Sequence, residues 1–120
     1  MIELIEGLPE SIIGCHAKGD VTATDYEDVL LPAVRTAFKT NPRVRLYYEL
    51  GPEFMGMEAG AMWEDLKVGL EHRSGWDRIA VVTDIPWISH SVNAFQLLMS
   101  CPVKIFPVEA RRAARDWITS

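Results

Sequence analysis

The chain is short of the residues that metal, redox and nucleic-acid chemistry require. Only two cysteines, Cys15 and Cys101, occur in 120 residues. They lack C-x-x-C spacing, which argues against a disulfide framework or a zinc site and fits two small buried hydrophobes in a reducing compartment. The three histidines, His16, His72 and His90, are too far apart in sequence to suggest a ligand set. Basic residues are in deficit, 12 against 17 acids, and are dispersed. The net charge of −5 therefore speaks against a nucleic-acid face. No apolar run approaches the ~20 residues of a membrane span. The opening Met1-Ile-Glu-Leu-Ile-Glu6 has no basic region and no long apolar stretch, so it does not read as a signal peptide. Gly51, Gly56 and Gly60 form neither a Walker nor a dinucleotide pattern, leaving phosphate cradling unsupported. There are no repeats, linkers or low-complexity tracts. These absences lead us to expect a cytoplasmic protein with neither metal nor cofactor, one that meets a membrane from one side if at all.

What is present is ordinary globular composition. Hydrophobic residues make up 48%, charged residues 24%, and the mean hydropathy is +0.03. That suits a single domain over residues 1–120. Residues 1–6 alternate as a strand. Gly7-Leu-Pro-Glu10 is short enough to imply an antiparallel hairpin with a second strand over 11–18. Thr24-Asp-Tyr-Glu27 has the form of a capping box. The helix behind it shows helical spacing at Tyr26, Val29, Leu30, Ala33, Val34, Ala37 and Phe38, with Pro32 expected to kink it. Strands are expected at 43–50, 79–83 and 103–106, and helices at about 58–72, 87–99 and 108–118. The order β-β-α-β-α-β-α-β-α predicts an α/β fold: a mixed five-stranded sheet, mostly parallel after its opening hairpin, flanked by about four helices.

The distinctive segment is the junction after the third strand. Gly51-Pro-Glu-Phe-Met-Gly-Met57 leads into a helix bearing Ala59, Met62, Trp63, Leu66 and Leu70 on its apolar side. Strand C-termini are where open α/β sheets take ligands, and this junction is apolar where phosphate-binding ones are polar. Trp87 opens the next helix close to the end of the fourth strand, with Ile88 and Phe95 on its stripe. If the third and fourth strands are parallel neighbours, both junctions open at one sheet edge. Such stripes ordinarily serve the core. Phe54, Met55 and Met57, however, lie in a loop, and methionine adapts to varied apolar shapes. The candidate ligand-binding residues are accordingly Phe54, Met55, Met57, Met62, Trp63, Trp87, Ile88 and Phe95.

Other candidates reduce to simpler readings. Ser89-His90-Ser91 with Asp84 could suggest a small serine hydrolase. Adjacent helical residues do not face one another, though, and no G-x-S-x-G elbow exists. Glu58, Glu64, Asp65 and Glu71 read as a solvated helix face, with Lys67 spaced to pair with Glu64 or Glu71. Arg111, Arg112 and Arg115 could meet anionic lipid but fit a solvated stripe on the last helix.

The whole chain resembles the SpoIIAA-like proteins, related in fold to STAS domains and distantly to CRAL-TRIO domains. The resemblance rests on Thr24-Asp-Tyr26, Val44-Arg-Leu-Tyr-Tyr-Glu-Leu50, Ala61-Met-Trp-Glu-Asp-Leu-Lys67, Arg78-Ile-Ala-Val-Val-Thr-Asp84 with Trp87, Val103-Lys-Ile-Phe106 and Ala114-Arg-Asp-Trp117. It implies a mixed five-stranded sheet whose second and third helices open and close, and apolar ligand binding or membrane association at those helices. One departure matters. STAS-type anti-sigma-factor antagonists carry a phosphorylatable serine after the third strand, whereas residues 51–60 here contain no Ser, Thr or Tyr, so a kinase-controlled switch has no hydroxyl to act on.

The resulting expectation is a non-enzymatic binding domain for an apolar or amphiphilic small molecule, with peripheral membrane contact through the same helices. The alternative is a STAS-like module in which that surface meets a protein partner or a second copy.

Overall fold

Alternating apolar strands and amphipathic helices fold as their periodicity dictates. The computed structural model describes residues 1–71 and 74–120, the side chains at 65, 66 and 68–70 excepted. The expectations for Asp65, Leu66, Leu70 and His72 lie outside the described residues. The described residues form seven strands: β1 (Ile2–Ile5), β2 (Ile12–Ala17), β3 (Gly19–Val21), β4 (Val44–Leu50), β5 (Phe54–Met57), β6 (Trp76–Thr83) and β7 (Val103–Phe106). Helix α1 covers 23–40, α2 is Ala59–Glu71, α3 is Pro86–Phe95 and α4 is Arg111–Thr119.

The main sheet has the order β1-β2-β4-β6-β7. β1 pairs antiparallel with β2, as the short hairpin requires, and all other neighbours are parallel. β4 and β6 are parallel neighbours in register from Arg45–Arg78 to Leu50–Thr83, which brings their C-terminal junctions side by side. Alternation along the strands separates two cores. Cys15, Leu46, Tyr48, Leu50, Ile79 and Val81 face one way and pack with α1 residues Tyr26, Leu30 and Val34 and with Ile88 of α3. Ile12, Tyr47, Ala80 and Val82 face the other way and receive Ala114 and Ile118 of α4.

Three local expectations are corrected. The first helix is capped by Thr22, not Thr24. Thr22 Oγ1 accepts from the Asp25 N–H at 3.2 Å, and Asp25 Oδ2 accepts from the Thr22 N–H at 2.8 Å. Thr22-x-x-Asp25 wins over Thr24-x-x-Glu27 because β3 delivers the chain, still extended, directly to Thr22 (φ −112°, ψ 165°). Pro32 does not act as a simple kink. Ahead of it, Tyr26–Leu30 forms a wide turn in which the Leu31 N–H reaches back to the Tyr26 carbonyl, and regular α-helix then resumes over Leu31–Thr40 with Pro32 in its first turn. Because Pro32 brings no N–H, the wide turn immediately ahead of it is where the bonding pattern shifts.

The third correction concerns the apolar loop. Its second half is strand β5, paired in parallel with β3 through Gly19–Phe54 and Val21–Met57. The Gly19 N–H donates to the Glu53 carbonyl at 2.7 Å, and the Glu58 N–H donates to the Val21 carbonyl at 2.9 Å. Leaving β2 for β3 requires φ +58° at residue 19, which glycine adopts without strain. Smaller differences occur at element ends. β6 begins at Trp76 rather than Ile79, α3 gives way to a 3₁₀ turn over Gln96–Leu98, and a 3₁₀ turn over Val108–Ala110 precedes α4.

Candidate functional site

The site sits between the first core face and the two helices that follow β5 and β6. Tyr48 and Leu50 of β4 alternate with Tyr47 and Glu49, so they present their rings and branches to α1, α2 and α3 rather than to α4. Ile79 and Val81 do the same one strand over. Above them the helices stand off and leave a cavity of about 280 Å³. Its walls combine sheet residues Leu46, Tyr48, Leu50, Ile79 and Val81 with Met57, Met62, Trp87, Ile88 and Phe95.

Five of the eight predicted residues therefore meet in one place: Met57, Met62, Trp87, Ile88 and Phe95. The other three do not line it. Phe54 is buried, 8% exposed, and its ring lies 6.2 Å from that of Trp87, so it backs the cavity mouth as a core residue of β5. Met55, on the opposite side of the same short strand, is 80% exposed, and Trp63 is 61% exposed. Neither lines the cavity; at Met55 the β3–β5 ladder skips from Gly19–Phe54 to Asp20–Gly56, and this irregularity leaves Met55 without a partner strand residue and turned to solvent. Leu97 and Leu98, beyond the end of α3, add to this exposed apolar set.

Sequence reading missed the floor. Leu30, Leu46, Tyr48, Leu50, Trp76, Ile79, Val81, Val92 and Val103 complete the lining with Ser91. The period-two alternation of β4 and β6 was the signal that could have found the sheet residues. Trp76 was hidden because Asp77 and Arg78 interrupt the apolar run. Among the described residues none that lines the cavity carries a charge at neutral pH. Tyr48 and Tyr26 place their hydroxyls 2.7 Å apart in the core, and Ser91 Oγ donates to the Trp87 carbonyl at 2.9 Å. That bond uses the proton a hydrolase nucleophile would need to give to a base. Among the described residues no hydrogen bond joins Ser89 or Ser91 to His90, which is exposed.

The acids of α2 behave as surface groups: Lys67 Nζ lies 3.4 Å from Glu64, and Glu71 meets Arg35 of α1 at 3.8 Å. The other sheet face holds the polar cluster. Glu49, 6% exposed, accepts from the Tyr47 hydroxyl at 2.7 Å and faces Arg111 at 3.4 Å and His16 at 3.6 Å. Burial, then the Glu49 carboxylate, pushes the Tyr47 phenol up to about 12. Arg115 lies over the Tyr47 ring at 5.4 Å, while Arg45 and Arg78 donate to the Ile118 and Trp117 carbonyls at the end of α4. Two of the three arginines expected to form a solvated stripe, Arg111 and Arg115, are thus engaged with the sheet. Among the described residues no group of three His, Cys, Asp or Glu is placed to hold a metal, and no helix is long and apolar enough to cross a membrane. A more open depression of about 510 Å³ between β1 and α1, flanked by Glu10 and Asp28, contains none of the predicted residues.

The model of the SpoIIAA-like family matches residues 12–119. The chain is also similar to a crystal structure described as an uncharacterized protein from the DUF3478 family with a SpoIIAA-like fold, from Shewanella loihica PV-4. Identity is 24%, covering 98% of this chain and 92% of that one, with a TM-score of 0.72. No curated protein matches.

Proposed function

The chain belongs to the SpoIIAA-like family, and from that premise we propose that it is a non-enzymatic binding domain holding an apolar or amphiphilic small molecule beneath α2 and α3. One observation carries the reading: the uncharged cavity of about 280 Å³ at the paired ends of β4 and β6. Liquid water occupies about 30 Å³ per molecule, so the space suits roughly ten heavy atoms. A ligand of that size, at about −0.3 to −1.5 kcal/mol per atom, brackets the roughly −8 kcal/mol of a micromolar complex. Met57, Met62 and Trp87 stand at the mouth, and Ile88 and Phe95 cover the interior.

A second reading is favoured by the side chains that the cavity leaves out. Met55, Trp63 and Leu97 are too exposed to serve the core. They suit a docking face for a membrane interface or a protein partner, in the manner of a STAS-like interaction module.

Solvent extraction of the native protein followed by mass spectrometry tests the first reading against a Met57→Asp, Trp87→Ala control. A stoichiometric apolar compound in the native sample alone is the expected result. Equal, empty extracts, with no binding of small apolar probes by either protein, would shift the weight to docking.

A further inference from the structure

One polar group is sealed among the apolar residues that line the cavity. Trp76, at the start of β6, is 1% exposed and contributes to the lining. Its Nε1–H has no hydrogen-bond partner among the described residues. Its ring stands edge-on to Phe38 of α1, centroids 5.2 Å apart at 89°. Of the cavity's other polar side chains, Tyr48 is engaged with Tyr26 and Ser91 with the Trp87 carbonyl, while the indole of Trp87 itself is 42% exposed and open to water. A buried indole N–H ordinarily has an acceptor, and leaving one unpaired destabilises the protein. Among the described residues no lysine, arginine or histidine lines the cavity, so none of them offsets the desolvation of an anion.

We infer that the ligand is an uncharged molecule of roughly ten heavy atoms whose inner end bears a hydrogen-bond acceptor, a ketone, ester or amide oxygen, that receives the Trp76 Nε1–H. The inference rests on the cavity reading above and narrows it: an ionised fatty acid and a pure hydrocarbon both rank below a carbonyl-bearing molecule as the preferred occupant. Because the indole is covered, the acceptor reaches the N–H only as the surrounding side chains give way. Binding therefore perturbs Phe38 and Trp76 as well as the mouth.

Three probes of matched size separate the possibilities: butylbenzene, butyrophenone and 4-phenylbutyrate, titrated into ¹⁵N-labelled protein and followed by the indole N–H resonances. The Trp76 resonance is the indole signal that survives in each of Trp63→Phe, Trp87→Phe and Trp117→Phe. Butyrophenone is expected to bind about tenfold more tightly than butylbenzene, the yield of one net hydrogen bond, and to move the Trp76 indole proton downfield. The carboxylate should bind weakest. Trp76→Phe should retain butylbenzene binding and abolish the advantage of the ketone. Should that variant fail to fold, the wild-type indole shift decides alone. Equal binding of ketone and hydrocarbon, or a stationary Trp76 resonance on saturation, would overturn the inference and leave the cavity reading intact. No binding by any probe would overturn both.

Discussion

Filling the cavity should stabilise the protein and block its ligand. Val92 on α3 lines the space and packs only partly against the main core. At about 24 cal/mol per Å³, 280 Å³ of unfilled space corresponds to a ceiling of roughly 7 kcal/mol, lowered wherever water enters. Val92→Phe adds four carbons, which at about 0.8 kcal/mol per buried methylene offer roughly 3 kcal/mol. Strain from overpacking takes back about 1–3 kcal/mol, and the two residues differ little in helix propensity. The expected net gain is about 1 kcal/mol, which raises Tm by roughly 4 °C in a domain of this size. Butyrophenone affinity should fall at least tenfold, since the new ring takes the place of the probe's ring. The assay is a thermal melt by circular dichroism together with the NMR titration. A variant that melts several degrees lower while binding butyrophenone as tightly as wild type would refute the reasoning, because it would show the space to be neither available nor used.

Two further outcomes follow from features away from the cavity. Thr22→Ala should cost about 1 kcal/mol in a denaturant titration by removing the helix cap, while Thr24→Ala stays within about 0.5 kcal/mol; the reverse order would return the cap to Thr24. Tyr47 is held protonated in the fold, up to about 12. The stability this contributes is therefore complete below the ordinary phenol value of about 10 and is lost as pH rises toward 12. Alkaline unfolding should set in over that interval and be blunted in Tyr47→Phe, and a phenol that ionises near 10 in the intact fold would contradict the assignment.

The mixed, mostly parallel sheet was readable because strands alternate with helices after the hairpin and the run at 79–83 is continuously apolar up to Thr83, as a strand covered on both faces is. The hairpin was legible from Gly7-Leu-Pro-Glu10 alone. β5 was not, because four residues between turns form a strand only when β3 is there to pair with them, and that contact is non-local. The same limit applied to the site. Met57, Met62, Trp87, Ile88 and Phe95 stood out by residue type and position, but whether Phe54 faces in and Met55 out depends on the face that β5 presents once paired. Thr22 and Thr24 carry competing cap patterns two residues apart, and only the exit from β3 decides between them. Trp76 was passed over because the charges beside it point to the α4 side of the sheet.

The wide turn at Tyr26–Leu30 amounts to one residue more than an α-helix needs to cover the same rise. Rewinding the same residues as regular α-helix would, at 3.6 residues per turn, rotate everything before them by about 100°. Tyr26 would then swing off Tyr48, and Thr22 and β3 would turn with it, taking along the β5 strand that closes the mouth. The surplus residue therefore acts as a phase setting: it fixes the angle at which the front of the molecule meets the sheet, and a helix made locally more regular would be globally misaligned.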